Sequence, residues 1–336
     1  MNVYYAGQAL NLSALYMLAG SGAVISIKSG DFNLGGEGQI YLGGFVCAVL
    51  LAKVSEGAGM PVTGLAVTGA LLTAFVCSAL MAGLSAVFKI LRNADFLFTS
   101  YIASAAIIPF IDGLISGPFR SRTDNLLATP FIPEQLRLTS ILPPSPLNAS
   151  FLAALVLCVL AWLLLNRTAW GRQLCILGIS PEFSRFAGFA SHQLSLTSAL
   201  LSGGLHGLCG AAAILGTYFT CHQGFYSGMG WNAFSAALIA GANPLLLIPS
   251  SLLMGFITTY SNKYALYHNF GFDIGSMIQA VILFIIAFPI LQKTKDRAKS
   301  AVVSPLRPGS GTTGSTTVNG VHGKLVDFLK FFRRAK

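Results

Sequence analysis

Two carboxylates, an asparagine and a glutamine lie among six glycines in the stretch KSGDFNLGGEGQIYLGG at 28–44, between two apolar runs. A carboxylate at the centre of a membrane helix costs about 2.5–3.5 kcal/mol on insertion scales, so Asp31 and Glu37 are expected to face protein, water or the membrane edge. Glycines permit sharp turns, and irregular backbone is tolerated in a membrane only where protein or a water-filled cavity covers it. The stretch therefore predicts a helix that is broken inside a membrane.

The polar side chains of this stretch have two interpretations. In the first they line a transport path, and the candidates are Phe32, Asn33, Glu37, Gln39 and, from a second short apolar segment, Asn232. In the second, Glu37 simply faces the open amides of the next helix start, which favour a negative charge. The residue types alone do not decide between the two.

The composition is that of an integral membrane protein. Hydrophobic residues make up 54% of the chain, charged residues 10%, and the mean hydropathy is +0.69, whereas about a quarter of the residues in soluble domains are charged. The net charge of +10 comes mainly from the segment after Gln292, where ten Lys and Arg face Asp296 and Asp327. Basic flanks of this kind are typical of cytoplasmic orientation, so no nucleic-acid partner is inferred. The six cysteines contain no CxxC pair, so no metal site is predicted.

The apolar runs predict an all-α polytopic membrane protein, because a helix needs about 20 apolar residues to cross a bilayer. Nine membrane segments are expected, at 7–27, 38–52, 61–88, 96–116, 149–165, 193–216, 231–241, 245–261 and 274–291. The second and seventh would be only about 22 Å and 17 Å long as helices, so they do not cross regularly. The proline-rich stretch 117–147 is expected to be the longest external loop.

The distribution of Lys and Arg sets the expected orientation. With the N-terminus outside and the C-terminus inside, sixteen of the 21 basic residues fall on the cytoplasmic side and five outside. We expect a membrane domain at 1–292 and a flexible cytoplasmic linker at 293–323, whose GSGTTGST run lacks the lysine of a phosphate loop.

The tail at 324–336 is predicted to form a basic amphipathic helix on membrane lipid. Leu325, Phe328, Leu329 and Phe332 follow the spacing of one helix face, and basic side chains surround them. The alternative is a disordered basic tail, since an isolated helix of this length is marginal in water.

The cytoplasmic stretch NRTAWGRQLCILGISPEFSRFAGF at 166–189 carries a complete set of helix signals. Ser180 suits the N-cap, Pro181 the first helical position, Glu182 the positive helix end, and Gly188 the position after the last turn. They predict a helix of about eight residues, roughly 12 Å long, that carries Phe183 and Phe186. Exposed aromatics between two spans indicate a docking surface, and the alternative is a solvated connector.

Three stretches together resemble the permease subunits of bacterial ABC importers of nucleosides and simple sugars. They are SGDFNLGGEGQIYLGG, RTAWGRQLCILGISPEFSRFAGF and GWNAFSAALIAGANPLLLIPSSLLMG, and the resemblance covers roughly 7–292. The FN-G-EGQ form is similar to the nucleoside branch rather than to the simple-sugar branch of ribose and galactose type. Members of the family usually have one more span before the segment that matches 7–27, which would place their N-terminus inside.

The resemblance implies a subunit of the bacterial cytoplasmic membrane that is not an enzyme and holds no cofactor. ATP would be used by a separate ATPase that docks on the cytoplasmic stretch, through Arg172, Gly178, Ser180, Pro181, Glu182, Phe183 and Arg185. A substrate-binding protein would deliver the ligand outside, and a second permease, identical or related, would complete the path.

Two other classes of protein remain as alternatives at this point. A secondary transporter or channel would also have glycine-broken segments, but it would not need a capped docking helix. An intramembrane enzyme would need a catalytic constellation, and His206, His222 and His268 lack the spacing of an HExxH or G-x-S-x-G site.

Overall fold

The computed structural model describes residues 3–54, 60–122, 126–226 and 228–268, together with Met277, Ala280, Val281 and Phe284. These ranges are almost entirely helical, which confirms the predicted all-α class. The helices are α1 (Val3–Lys28), α2 (Gly36–Leu51), α3 (Met60–Arg92), α4 (Phe96–Ser116), α5 (Ser150–Arg167), α6 (Ala169–Ile179), α7 (Pro181–Phe186), α8 (Ser191–Ala213), α9 (Met229–Ile239) and α10 (Leu247–Tyr267).

Five helical segments in the described ranges are long and apolar enough to cross a membrane. They are Val3–Lys28, Val62–Arg92, Phe96–Ser116, Ser150–Arg167 and Ser191–Tyr218. The short second and seventh segments correspond to α2 and α9, and the eighth corresponds to α10. The predicted ninth segment, apart from four isolated positions, and the predicted linker and tail lie outside the described residues.

The centre of the bundle is formed by α1, α2 and α8. In α1 and in α8 with its C-terminal extension, 83% of the most apolar window is buried. Glycines allow these backbones to touch: a Cβ on Gly22 would lie 2.6 Å from the carbonyl oxygen of Ser202, and one on Gly43 would lie 2.5 Å from the Cα of Gly207. Small residues at such contacts are how membrane helices associate, because lipid is as apolar as a leucine side chain.

The outer face of the bundle is formed by α3, α4 and α5, which expose large apolar side chains. Leu72 is 66% exposed, Phe110 is 61% exposed and Leu152 is 59% exposed, as expected for contact with lipid. The charge of Asp112 in α4 is directed inward instead, where its carboxylate accepts a hydrogen bond of 2.6 Å from the Tyr41 hydroxyl. Helix α4 continues through Asp112 to Ser116.

Basic residues end three of the helices at the end of the bundle that the sequence predicts to be cytoplasmic. Lys28, Lys89, Arg92 and Arg167 end α1, α3 and α5, and positive residues concentrate on the cytoplasmic side of membrane proteins. At the other end, the described part of the loop after α4 forms a three-residue 3-10 turn, Glu134–Leu136. The same loop lies along the chain that follows α8, with the Ile132 amide donating to the Phe219 carbonyl at 2.9 Å.

Candidate functional site

The broken helix exists and has a defined geometry. Helix α1 ends at Lys28 and α2 begins at Gly36, so residues 29–35 form the break. Gly30 has a φ of +82°, a left-handed backbone that glycine adopts without strain. The Ser26 hydroxyl accepts from the Asn33 amide at 2.9 Å and donates to the Asp31 carbonyl. The break is therefore folded onto the last turn of α1.

Asn33 and Gln39 are buried and connect the two sides of the break by hydrogen bonds. Their side-chain amides bond each other reciprocally at 3.0 and 3.1 Å, and Asn33 Nδ2 also donates to the Ser202 hydroxyl of α8 at 2.9 Å. Asn33 is 2% exposed and Gln39 is 1% exposed. Nearly all hydrogen-bond donors and acceptors of these two side chains are therefore used within the protein.

The open amides at the start of α2 are satisfied by serines of α4. The Leu34 amide donates to the Ser100 hydroxyl at 3.2 Å, and the Gly38 amide donates to the Ser104 hydroxyl at 2.8 Å. Unsatisfied amides cost several kcal/mol in lipid, so these bonds let a helix begin below the membrane surface.

Glu37 lies between two helix starts. It belongs to the first turn of α2, and its carboxylate accepts a hydrogen bond of 2.9 Å from the amide of Gly228, the N-cap of α9. Gly230 fits closely beside it, because a Cβ there would lie 2.6 Å from the Glu37 amide nitrogen. The side chain is half-buried, so it serves a helix start and also reaches a free surface.

A mixed aromatic and polar surface surrounds Glu37, and we call it the break face: Phe32, Glu37, Trp231, Asn232 and Phe234. Phe32 is 40% exposed and Trp231 is 44% exposed. The rings of Phe32 and Phe234 meet edge to face at 6.2 Å. Asn232 Nδ2 donates to the Tyr16 hydroxyl at 2.8 Å. The sequence reading missed Trp231 and Phe234, although the i, i+3 spacing of two aromatics around Asn232 was a usable signal.

These positions predict different outcomes for Asn33→Ala and Glu37→Gln. We expect Asn33→Ala to reduce the amount of folded protein, because Gln39 and Ser202 lose partners at about 1–3 kcal/mol for each unsatisfied group. We expect Glu37→Gln to keep normal abundance and to lower uptake. Membrane abundance, thermal stability by fluorescence-detected size exclusion, and uptake together distinguish an effect on folding from an effect on transport. If Asn33→Ala is as stable as the wild type, the structural role of the Asn33 hydrogen bonds is contradicted.

Asp31 forms an ion pair with a residue that the sequence reading used only for orientation. Lys89 Nζ lies 2.5 and 2.6 Å from the two carboxylate oxygens of Asp31. The Ser195 hydroxyl donates to the same carboxylate at 2.6 Å. The break, α3 and α8 are therefore joined at the cytoplasmic end through one carboxylate.

A second contact joins the break to α6, a helix that the sequence reading did not predict. A Cβ on Gly178 would lie 2.9 Å from the Gly30 amide nitrogen and still closer to the Lys28 carbonyl oxygen. At its other end, α6 is capped by Thr168, whose hydroxyl accepts from the Gly171 amide at 3.0 Å. The Thr-x-x-Gly cap in RTAWG was the signal for this helix.

The helix predicted at Pro181 is present as α7, with six residues rather than about eight. The Ser180 hydroxyl accepts from the Phe183 amide at 3.3 Å, as a cap does. Gly188 has a φ of +76°, which ends the helix early. Phe183 is 55% exposed and Phe186 is 91% exposed. Several other residues assigned to ATPase docking are also exposed: Arg172, Pro181, Glu182 and Arg185.

Comparison with known proteins gives one family and several relatives. Residues 5–287 match the family described as branched-chain amino acid transport system / permease component. A probable riboflavin import permease protein of Treponema pallidum is 34% identical over 82% of this chain and 72% of its own. A guanosine ABC transporter permease of Bacillus subtilis is 23% identical over 85% of this chain and 81% of its own. A glucose ABC transporter permease of Haloferax volcanii is 25% identical over 80% and 73%. No solved structure matches.

Proposed function

The chain belongs to the branched-chain amino acid transport system / permease component family and is a multi-pass permease subunit of an ABC importer in the cytoplasmic membrane, and we propose that it carries nucleosides or similar flat-ring compounds. The break face supports this cargo. Its aromatic side chains offer stacking surfaces, while Glu37 and Asn232 offer hydrogen bonds at a ring edge. A simple sugar is the second candidate, because two permeases of Haloferax volcanii named for glucose also match the chain.

We propose that the residues of the site have two different roles. Phe32, Glu37 and Asn232 face the path, while Asn33 and Gln39 hold the break in shape. The difference in burial supports this division, because a side chain that is 2% exposed or less has little surface to offer a ligand.

Energy for transport would come from an ATPase that docks on α7 and the adjoining end of α6. The observation that carries this proposal is the direct contact between Gly178 and the first residues of the break. Only Ile179 and Ser180 separate Gly178 from Pro181, so a push on the exposed aromatics of α7 acts on the break through α6 with no flexible segment between them. The Asp31–Lys89 pair would hold the break against α3 and α8 until that push arrives.

A substrate-binding protein outside and a second permease subunit would complete the importer. Uptake of radiolabelled guanosine, riboflavin, ribose and glucose by cells that express the complete set of subunits tests the cargo. We expect saturable, ATP-dependent uptake of guanosine or riboflavin and none of the two sugars. Uptake of a sugar alone would replace the proposed cargo by the second candidate.

Changes on α7 are expected to separate the ATPase from the permease. Combined replacement of Pro181, Glu182 and Phe183 by alanine removes the proline of the first helical position, a charge and an exposed ring, so ATPase co-purification and uptake should both fall strongly. Arg185→Glu reverses a charge on the same surface and should act in the same direction. Asn166→Ala, exposed at the cytoplasmic end of α5, is the matched control. Unchanged ATPase association with retained uptake would rule out this docking surface.

A further inference from the structure

A cavity of about 430 Å³ lies at the external end of the bundle, far from the ATPase surface. It is half open to the surroundings and is bordered by the first half of α1, the residues 216–219 that follow α8, and the proline-rich external loop. Its wall contains three aromatic side chains, Tyr4, Tyr218 and Phe219, and several amides and hydroxyls, among them Gln8, Asn11, Ser140, Ser145 and Thr217. The described residues that line it include no Asp, Glu, Lys or Arg. Small-molecule sites have similar volumes, about 300–1,000 Å³.

The polar wall of the cavity is fixed by a buried amide network. Asn11 Nδ2 donates to the Thr217 hydroxyl at 2.9 Å. Asn148 Nδ2 donates to Asn11 Oδ1 and to the Gly216 carbonyl, both at 3.1 Å. Since Asn11 is 3% exposed and Asn148 is 1% exposed, the network is held rigidly before any ligand arrives.

The aromatic wall depends on unusual backbone. Helix α8 ends in a π turn, Ile214–Tyr218, and Phe219 follows it with a φ of +59°. π turns are rare and are frequent at functional sites, and a left-handed backbone costs about 1–3 kcal/mol for a residue other than glycine. The conformation is held by a 2.8 Å bond from the Phe219 amide to the Ile214 carbonyl and by the Arg137 guanidinium, 4.9 Å from the ring. A role of Tyr218 and Phe219 in the cavity would explain why this strained backbone is kept.

We infer that this cavity is an external reception site for a neutral compound with a flat ring and polar edges. The inference rests on the proposed function and adds a place where the cargo is held before it reaches the break face. The aromatic walls accept the ring, and the half-buried Gln8 amide and Thr217 hydroxyl, the latter held in place by Asn11, meet its edge.

The nearby Arg137 guanidinium is already engaged with the Phe219 ring, the Ile132 carbonyl and Glu134. A phosphorylated compound would therefore lose its hydration without gaining an unengaged opposite charge, so the site disfavours it.

Helix α1 connects the cavity wall to the break face. Tyr16 follows Asn11 by five residues, about 7.5 Å along α1. The Tyr16 hydroxyl accepts from Asn232, which belongs to the break face. Asn11 of the cavity wall and Tyr16, which bonds the break face, therefore lie about 7.5 Å apart along the same rigid helix.

Protection from labelling tests the cavity without requiring transport. Gln8→Cys in the complete complex would be treated with a membrane-impermeant thiol reagent, with and without guanosine or riboflavin. The chain without this change gives the background, and burial raises the pKa of the Cys175 and Cys221 thiols, which keeps that background low. We expect slower labelling with the two neutral compounds and no change with guanosine monophosphate or flavin mononucleotide.

Leu126→Cys is the control, because Leu126 is 56% exposed on the same external loop and does not line the cavity. Equal protection at both positions, protection by the phosphates, or no protection at Gln8→Cys would overturn the inference. If uptake of guanosine or riboflavin proceeds without protection, the cavity is not a reception site, whereas the proposed cargo is supported. If protection occurs without uptake, the cavity binds these compounds, but they are not the transported cargo.

A neighbouring pair of tyrosines gives the kinetic test. Tyr4→Ala removes a ring from the cavity, whereas Tyr5→Ala removes a ring that does not line the cavity, contacts the Tyr4 ring edge to face at 5.4 Å and packs 4.4 Å from Lys263 Nζ. We expect Tyr4→Ala to raise the KM of uptake about tenfold, equal to roughly 1.4 kcal/mol, with unchanged maximal rate. Tyr5→Ala should leave KM near the wild-type value. Equal KM values for the two variants would contradict a role of the cavity in reception.

Discussion

Lys89→Met is expected to abolish nearly all uptake and to lower the stability of the protein. The change keeps most of the apolar stem but leaves the Asp31 carboxylate, whose side chain is 9% exposed, with the Ser195 hydroxyl as its remaining side-chain partner. Removing one partner of a buried pair costs about 3–5 kcal/mol. Because the Lys89 side chain is 33% exposed, we expect a loss at or below the low end of that range. Thermal stability in detergent and uptake in membranes measure the two effects.

The double variant Asp31→Asn with Lys89→Met separates stability from mechanism. Removing both charges of a buried pair is close to neutral, so folded protein should return. If the pair also holds the break during the transport cycle, uptake stays low although the protein is stable. Full recovery of uptake would mean that the pair serves stability alone. Glu134→Gln is the matched control, since Glu134 is 91% exposed, lies 3.8 Å from Arg137 and forms a surface pair worth about 0–1 kcal/mol.

Gly178→Val is expected to disconnect ATP hydrolysis from transport. There is no space for a side chain, because even a Cβ would lie 2.9 Å from the Gly30 amide nitrogen. Overpacking of this kind costs about 1–3 kcal/mol, and here α6 relieves it by moving away from the break while α7 stays intact. ATPase binding and hydrolysis should persist, and cargo moved per ATP should fall about tenfold or more, equal to at least roughly 1.4 kcal/mol.

Gly113→Ala is the control for Gly178→Val, because a Cβ at Gly113 would meet nothing within 4 Å. Gly30→Ala tests the other side of the contact, where the left-handed backbone adds strain. The idea fails if Gly178→Val keeps normal transport per ATP, or if it loses transport only because the ATPase no longer binds.

Local features of the fold were predictable from the sequence, whereas side-chain partners were not. The break at 29–35 and the Ser180 cap of α7 follow from glycines, prolines and capping residues within a few positions of each other. The partners of Asp31 lie 58 and 164 residues away. Their pairing depends on which helices are neighbours, and apolar periodicity does not encode that. For the same reason, the sequence did not separate the buried Asn33 from the exposed Phe32.

The meeting of two helix starts at Glu37 has a consequence for ion leakage. Each helix start carries about half a positive charge, so the starts of α2 and α9 together nearly cancel one carboxylate. The surroundings of Glu37 therefore present little net charge, and a proton or a sodium ion is only weakly attracted to that point. An uncharged cargo molecule needs no counter-ion at such a point. The arrangement that admits this cargo therefore also limits the leakage of ions through the permease, which would otherwise reduce the membrane potential.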